Sequence, residues 1–152
     1  AWLLDVAWAL PTLMLLSLWG IGGGMVLYLA ALQGVPTELY DAAMVDGAGA
    51  LRKFWNITLP MISPVILFTT LTGFIGAFQA FVSAWLMTQG GPANATLFYM
   101  LLIYLNGFQY FKMGYAAALA WVLALIIFAL SLILLRTAGR LVYYETEGGA
   151  RI

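Results

Sequence analysis

The sequence contains no cysteine and no histidine. Without cysteine the chain has neither a disulfide framework nor a thiolate metal site. Without histidine it lacks the most common general base and metal ligand. The pattern G-x-x-x-x-G-K-[ST] is also missing, so no P-loop ATP site is predicted. These absences argue against a membrane enzyme, and we expect no metal and no cofactor in this chain.

Charged side chains are scarce, at 8% of the 152 residues, whereas soluble domains typically carry about 25%. Six basic and six acidic residues cancel formally, which leaves no electrostatic footprint for nucleic acid. No Asp, Glu, Lys or Arg occurs in three long segments, residues 6–37, 54–111 and 113–135. Because a membrane helix needs roughly 20 apolar residues, each segment is long enough for a crossing. The composition predicts an all-α integral membrane protein.

Three apolar segments are predicted to span the membrane, at residues 7–32, 59–87 and 114–135. The first has a glycine-rich middle from Gly20 to Gly24. Such a segment favours either close helix packing or a local loss of helix in the wall of a passage. The second has Pro60 and Pro64 in its first turns, where a missing N–H costs least.

The stretch 96–111 is apolar but short, and Asn106 and Gly107 interrupt it. We predict a re-entrant or interfacial segment within an outer-side region, residues 88–113. The basic residues support three spans, which leave Lys112 alone outside and put the others on the cytoplasmic side: Arg52, Lys53, Arg136, Arg140 and Arg151. A fourth span would divide the basic residues evenly, which the positive-inside rule disfavours.

The connection 35–58 is the one long polar stretch between spans that carries both charge signs. A helix is predicted to begin near Pro36, and Gly47 and Gly49 are predicted to end it, because glycine adopts positive φ without penalty. A second short helix is predicted at 51–57. Together they form a helix–turn–helix at the cytoplasmic face.

This connection resembles the EAA loop in the inner-membrane permeases of binding-protein-dependent ABC importers. The family pattern is E-A-A, three residues, G, nine residues and I-x-L-P. The sequence matches that spacing throughout, with Asp41-Ala42-Ala43, Gly47 and Ile57-Thr58-Leu59-Pro60. Asp46 before Gly47 is also typical of the family. Asp41 replaces the usual Glu, which keeps the charge and shortens the side chain by one methylene.

Further segments are similar to landmarks of the maltose-type sugar permeases, namely Leu29 to Pro36, Thr88 to Pro92 and Gly114 to Ala118. The Gly-Gly-Pro element suggests the first of the two permease subunits in such systems. The resemblance covers the C-terminal half of a typical member, and the chain begins without Met. We therefore expect residues 1–152 to be the C-terminal part of one importer transmembrane domain, and no signal peptide is predicted.

The resemblance implies a coupling role for the loop, residues 38–57, which would dock on a separate ATPase subunit that hydrolyses ATP. The implied docking residues are Glu38, Asp41, Ala42, Ala43, Asp46 and Gly47. The implied partners are ABC ATPase subunits, a second permease subunit, an extracytoplasmic solute-binding protein and membrane lipid, without nucleic acid. The implied location is the inner membrane of a prokaryote, with several crossings, and the implied cargo is a carbohydrate or related polyol.

The resemblance also implies that the helices before and after the loop line the substrate passage. The residues that would face it are Gly20, Gly23, Gly73, Gly76, Ala77, Gln79, Ala80 and Ser83. Packing of helix on helix is the alternative explanation for the small residues among them.

An ion- or proton-coupled carrier, or a channel subunit, is the main alternative function. Coupled carriers usually place charged residues inside the membrane as relays. The three predicted spans contain none. The sequence therefore favours an external source of energy.

Overall fold

The computed structural model describes residues Trp2–Ala138. Within that part of the chain every regular element is helical, which confirms the all-α prediction. Three segments are long and apolar enough to cross a membrane: Val6–Gln33, Ser63–Met87 and Met113–Thr137. The expectation of three spans is confirmed.

The first span consists of helix α1, Val6–Ser17, a 3₁₀ turn at Leu18–Gly20, and helix α2, Ile21–Gln33. The glycine-rich middle was expected to loosen the helix or to pack closely. The irregularity is confined to the single 3₁₀ turn, and Gly22 to Gly24 lie within α2. A 3₁₀ turn tightens the winding while keeping backbone hydrogen bonds, so the helix continues through it.

The polar connection folds as the predicted helix–turn–helix. Helix α3 covers Thr37–Val45, and helix α4 covers Ala50–Lys53. The second helix was predicted at 51–57, but its α-helical part ends at Lys53. A π-helical turn, Phe54–Thr58, then leads into the short helix α5, Leu59–Met61.

The second span is not the continuous helix expected for residues 59–87. Helix α6, Ser63–Phe78, begins only after a turn at Ile62 with φ −89° and ψ 0°. Pro64 has no N–H to donate to the carbonyl of Pro60, and the Ser63 hydroxyl donates to that carbonyl instead, at 2.6 Å.

The outer part of the second span is a separate helix, α7, Val82–Met87. The three residues between α6 and α7 are not helical. Residues 88–98 form a loop that leads to helix α8, Tyr99–Tyr104, and to a π-helical turn, Leu105–Gln109. Together, α8 and this turn extend only about 16 Å at 1.5 Å per residue, which is too short to cross a bilayer.

The last span is helix α9, Met113–Ala138. It packs against α8 and the π-helical turn that follows, which together are called the α8 segment. The Tyr99 hydroxyl of this segment donates to the carbonyl of Leu119 in α9 at 3.2 Å. Gly107 lies so close to α9 that a Cβ placed on it would be 3.3 Å from Cβ of Ala116. The absence of a side chain at this position therefore permits the close approach of the two segments.

The chain divides into two compact units. The first unit contains the residues up to Ile21 together with Thr72–Ile133. The second contains Gly22–Leu71, which includes the whole helix–turn–helix, and resumes at Leu134. Arg140 and Arg151, which entered the prediction of orientation, lie outside the described residues.

Candidate functional site

Helix α3 presents apolar side chains outward from a polar connection. Leu39, Met44 and Val45 are 41%, 56% and 89% exposed. Tyr40 and Ala43 are half-buried and form the inner side of the helix. Exposed apolar side chains of this kind, flanked by charged residues, are typical of a surface that binds another protein.

A Schellman motif ends α3. The N–H of Gly47 donates to the carbonyl of Met44 at 3.0 Å, and the N–H of Ala48 donates to the carbonyl of Ala43 at 2.9 Å. Gly47 has φ +72°, as predicted. The prediction that Gly49 ends the helix through a positive φ is wrong. This residue has φ −68° and ψ 167° and serves as the N-cap of α4.

The structure brings the six predicted docking residues together on α3 and its C-terminal cap. Five of them are exposed: Glu38, Asp41, Ala42, Asp46 and Gly47. Ala43 is half-buried. A groove of about 300 Å³ adjoins this end of the helix and is lined by Ala43, Asp46, Ala48, Arg52, Lys53, Asn56 and Ile57. The groove therefore carries both charge signs beside the exposed helix.

Two hydroxyl pairs that the sequence did not predict stabilise this unit. The hydroxyl oxygens of Tyr40 and Thr58 are 2.8 Å apart, and those of Tyr28 and Thr69 are 2.6 Å apart. The sequence does show isolated polar side chains in apolar helices. Such groups indicate hydrogen bonds, because polar groups in a membrane protein are usually hydrogen-bonded. The identity of each partner depends on which helices meet, and the sequence does not specify that.

A second candidate site lies in the other unit, as an open groove of about 620 Å³. Four predicted passage residues line it: Gly20, Gln79, Ala80 and Ser83. The remaining lining residues were not predicted: Leu13, Leu16, Ser17, Phe81, Val82, Leu86 and Met87. The groove combines an apolar wall with a few hydroxyl and amide groups, which is the usual composition of a small-molecule site.

Four other predicted passage residues do not line this groove: Gly23, Gly73, Gly76 and Ala77. A Cβ placed on any of these three glycines would meet nothing within 4 Å. The helix-packing explanation therefore has no contact to support it at these glycines within the described residues.

The interruption between α6 and α7 supplies the groove with irregular backbone. The N–H of Gln79 is shared between the carbonyls of Ile75 and Gly76, both at 3.2 Å. Phe81 then adopts φ −133° and ψ −52°, outside the helical region. Irregular backbone at membrane depth is tolerated where it is buried in protein or lines a cavity, and Gln79, Ala80 and Phe81 all line this one.

An aromatic cluster fixes the groove side of α7. The ring of Phe81 is stacked with that of Trp85 at a centroid distance of 6.2 Å, and both rings contact Tyr104, at 5.1 Å and 4.9 Å. Tyr104 also contacts Phe108 at 5.3 Å. The α8 segment therefore packs against Phe81, the residue directly before α7 begins. Among the described residues, no group of three or more acidic side chains is placed to hold a metal ion.

Comparison with known proteins identifies the family. Residues 2–142 match the family described as "Binding-protein-dependent transport system inner membrane component". The probable ABC transporter permease protein YesP of Bacillus subtilis (strain 168) is 40% identical over 148 residues, which cover 96% of this chain and 48% of YesP. The lactose transport system permease protein LacF of Rhizobium radiobacter is 40% identical over 134 residues, which cover 86% of this chain and 45% of LacF.

A third relative is the sn-glycerol-3-phosphate transport system permease protein UgpA of Yersinia enterocolitica. It is 37% identical over 139 residues, which cover 90% of this chain and 47% of UgpA. The chain spans about half the length of these three relatives. All three are named as permease proteins of transport systems, and the matches give no support to an ion- or proton-coupled carrier.

The family assignment and the three apolar helices agree with each other. They make the chain part of a multi-pass protein of the cytoplasmic membrane. The chain belongs to the family of inner membrane components of binding-protein-dependent transport systems, and its relatives include the permease of a lactose transport system.

Proposed function

We propose that the chain is part of the transmembrane subunit of an ATP-driven importer. The importer moves a carbohydrate or related polyol from a solute-binding protein into the cytoplasm. A separate pair of ABC ATPase subunits hydrolyses the ATP, and a second permease subunit completes the passage. Residues 1–152 form the C-terminal part of one importer transmembrane domain, in the first of the two permease subunits.

The exposed helix α3 is the observation that carries this proposal. The exposed side chains of Leu39, Met44 and Val45 form an apolar surface, and the exposed Ala42 contributes only a small side chain to it. Small side chains allow a partner to approach closely, and the charged groups at Glu38 and Asp41 give the contact its orientation. Loop 38–57 is therefore suited to dock in a complementary groove of an ATPase subunit.

The groove around the interruption at residues 79–81 is the proposed section of the substrate passage. Gln79, Ser83 and Ser17 supply groups that can bond to sugar hydroxyls, and Phe81 supplies an apolar ring. A carbohydrate presents both hydroxyls and apolar C–H faces, so it suits a wall of this composition. Two of the relatives are named for the transport of lactose and of sn-glycerol-3-phosphate, which supports a carbohydrate or polyol as cargo.

Co-purification tests the coupling role. The full-length permease, tagged and expressed with its companion subunits, is extracted in mild detergent, and the bound ATPase is measured by quantitative immunoblot. Ala42→Arg places a long charged side chain in the middle of the exposed face of α3, so we expect most of the ATPase to be lost. Ala93→Arg is the matched control, because Ala93 is also an exposed alanine but lies in the loop after α7, outside loop 38–57.

The control protein should retain the ATPase at the wild-type level. Both variants should reach the membrane in equal amounts, because neither position is buried. Normal ATPase recovery with Ala42→Arg, at normal abundance, would contradict docking through α3.

A further inference from the structure

The two hydroxyl pairs join segments that are far apart in the sequence. Tyr40 of α3 is paired with Thr58, at the end of the π-helical turn, across 18 positions. Tyr28 of α2 is paired with Thr69 of α6, across 41 positions. Together the pairs connect the proposed docking helix and the adjacent ends of the first two spans within one compact unit.

The Thr69 hydroxyl is also held by its own helix. It lies 2.9 Å from the carbonyl of Val65 and 3.1 Å from that of Ile66. When its one hydrogen points to either carbonyl, Tyr28 is the donor of the pair. The Tyr28 side chain is therefore paired with a hydroxyl that α6 already holds in place.

The other pair is protected from solvent at its threonine. Thr58 is only 9% exposed, and Tyr40 is half-buried. A hydrogen bond in such surroundings is worth more than one in water, and its loss leaves a buried hydroxyl without a partner. The links on either side of α3 are short turns, and the contact between Tyr40 and Thr58 adds a side-chain constraint on the angle of the helix.

We propose that Tyr40 and Thr58 are positioning residues that fix α3 to the cytoplasmic end of the second span. Tyr28 and Thr69 fix that span to the first in the same way. The docking helix and the two span ends then move as one body, so a push on α3 reaches both spans. This inference rests on the proposed function, in which an ATPase moves α3.

Spin labels measure this rigidity directly, without knowledge of the cargo. Residues 1–152 contain no cysteine, so Val45→Cys and Leu29→Cys place labels on α3 and α2 after any cysteines in the rest of the protein are replaced. Both positions are exposed, at 89% and 58%. Electron–electron double resonance gives the distribution of distances between the labels in the purified full-length permease without nucleotide or ATPase, because Val45 lies on the proposed docking surface. We expect one narrow distribution.

Removal of the pair should release the helix. In the variant Tyr40→Phe with Thr58→Val, the population at other distances should rise about fivefold, the ratio expected when one net hydrogen bond is lost. Thr58→Ser with Tyr40 intact keeps both hydroxyls and should show the narrow distribution of the wild type. A wild-type distribution for the double variant would overturn the proposal.

Two comparisons separate positioning from general stability. Tyr99→Phe removes a similar tyrosine hydrogen bond in the other unit, so it should leave the label distances unchanged. Tyr40→Phe alone leaves Thr58 unpaired and should unfold at a lower temperature than the double variant, which has no orphaned hydroxyl. If Tyr99→Phe broadened the distances as strongly as the double variant, the broadening would reflect stability and the proposal would fail.

The nucleotide-free measurement also separates this inference from the proposed function. It depends on the permease alone, whereas co-purification depends on the ATPase. A narrow distribution of label distances in a permease that binds no ATPase would overturn the proposed function, and the two hydroxyl pairs would then be structural links only. A broad distribution in a wild-type protein that does bind ATPase would overturn the positioning role alone.

Discussion

At the scale of single residues, Gly47 determines where helix α3 ends. Its φ of +72° is in the left-handed region, where a Cβ clashes with the backbone at a cost of about 1–2 kcal/mol. Gly49, only two positions later, has an extended backbone that any residue can adopt. The two glycines therefore provide a matched pair for mutation.

We expect Gly47→Val to weaken coupling while the protein remains in the membrane. The β-branched side chain is strained at positive φ, so the Schellman motif opens and the exposed end of α3 shifts. The stimulation of ATPase activity by the reconstituted transporter, divided by the amount of permease, measures the effect. Gly49→Val should stay close to wild type, and equal behaviour of the two variants would contradict the role of Gly47.

The docking role of the six residues, of which five are exposed, stays a prediction. The sequence did predict the positive φ of Gly47, which is a local property of the backbone. It did not find the pairing of Tyr28 with Thr69, because the partner of a polar side chain in a span is set by which helices pack together. Spacing within one helix carries no information about that packing.

At the scale of elements, the second span is two helices that meet at an irregular segment. Residues 79–81 contain neither proline nor glycine, so no local signal marked the interruption. Hydropathy falls only at the single polar residue Gln79, because Ala80 and Phe81 are apolar. The existence of the span was predictable from the absence of charge, whereas its interruption coincides with a contact of Phe81 with Tyr104 of α8, which the sequence does not reveal.

Packing of the α8 segment on α9 leads to a prediction about stability. Gly107→Leu should lower the midpoint of thermal unfolding in detergent, because its Cβ alone would be 3.3 Å from Ala116. Overpacking of this kind costs about 1–3 kcal/mol. Gly114→Leu is the control, since a Cβ there meets nothing within 4 Å. A larger loss of stability with Gly114→Leu would contradict the close contact.

At the scale of the whole molecule, three crossings in sequence predict that the connection after the first span and the loop after the second are on opposite sides of the membrane. The basic residues Arg52, Lys53 and Arg136 predict that the first of these faces the cytoplasm. Lys112 is then expected on the outer side. This orientation is predicted from charge and from the number of spans, and it stays a prediction.

Labelling of single cysteines tests this orientation, and residues 1–152 contain no cysteine that must first be replaced. In intact cells, a maleimide that cannot cross the inner membrane should modify Asn94→Cys and leave Ala50→Cys unmodified. Both positions are exposed, and neither is among the six proposed docking residues. After cell disruption both should react, and labelling of Ala50→Cys in intact cells would reverse the assignment.

The Schellman motif of α3 has a consequence for how such a protein can diversify. The hydrogen bonds from Gly47 and Ala48 join main-chain atoms, so the outward side chains take no part in stopping the helix. Those side chains can be exchanged one at a time while the length and end of the helix stay constant. For the proposed contact with an ATPase, this means that a lineage could acquire a different ATPase subunit through substitutions on the surface of α3 alone.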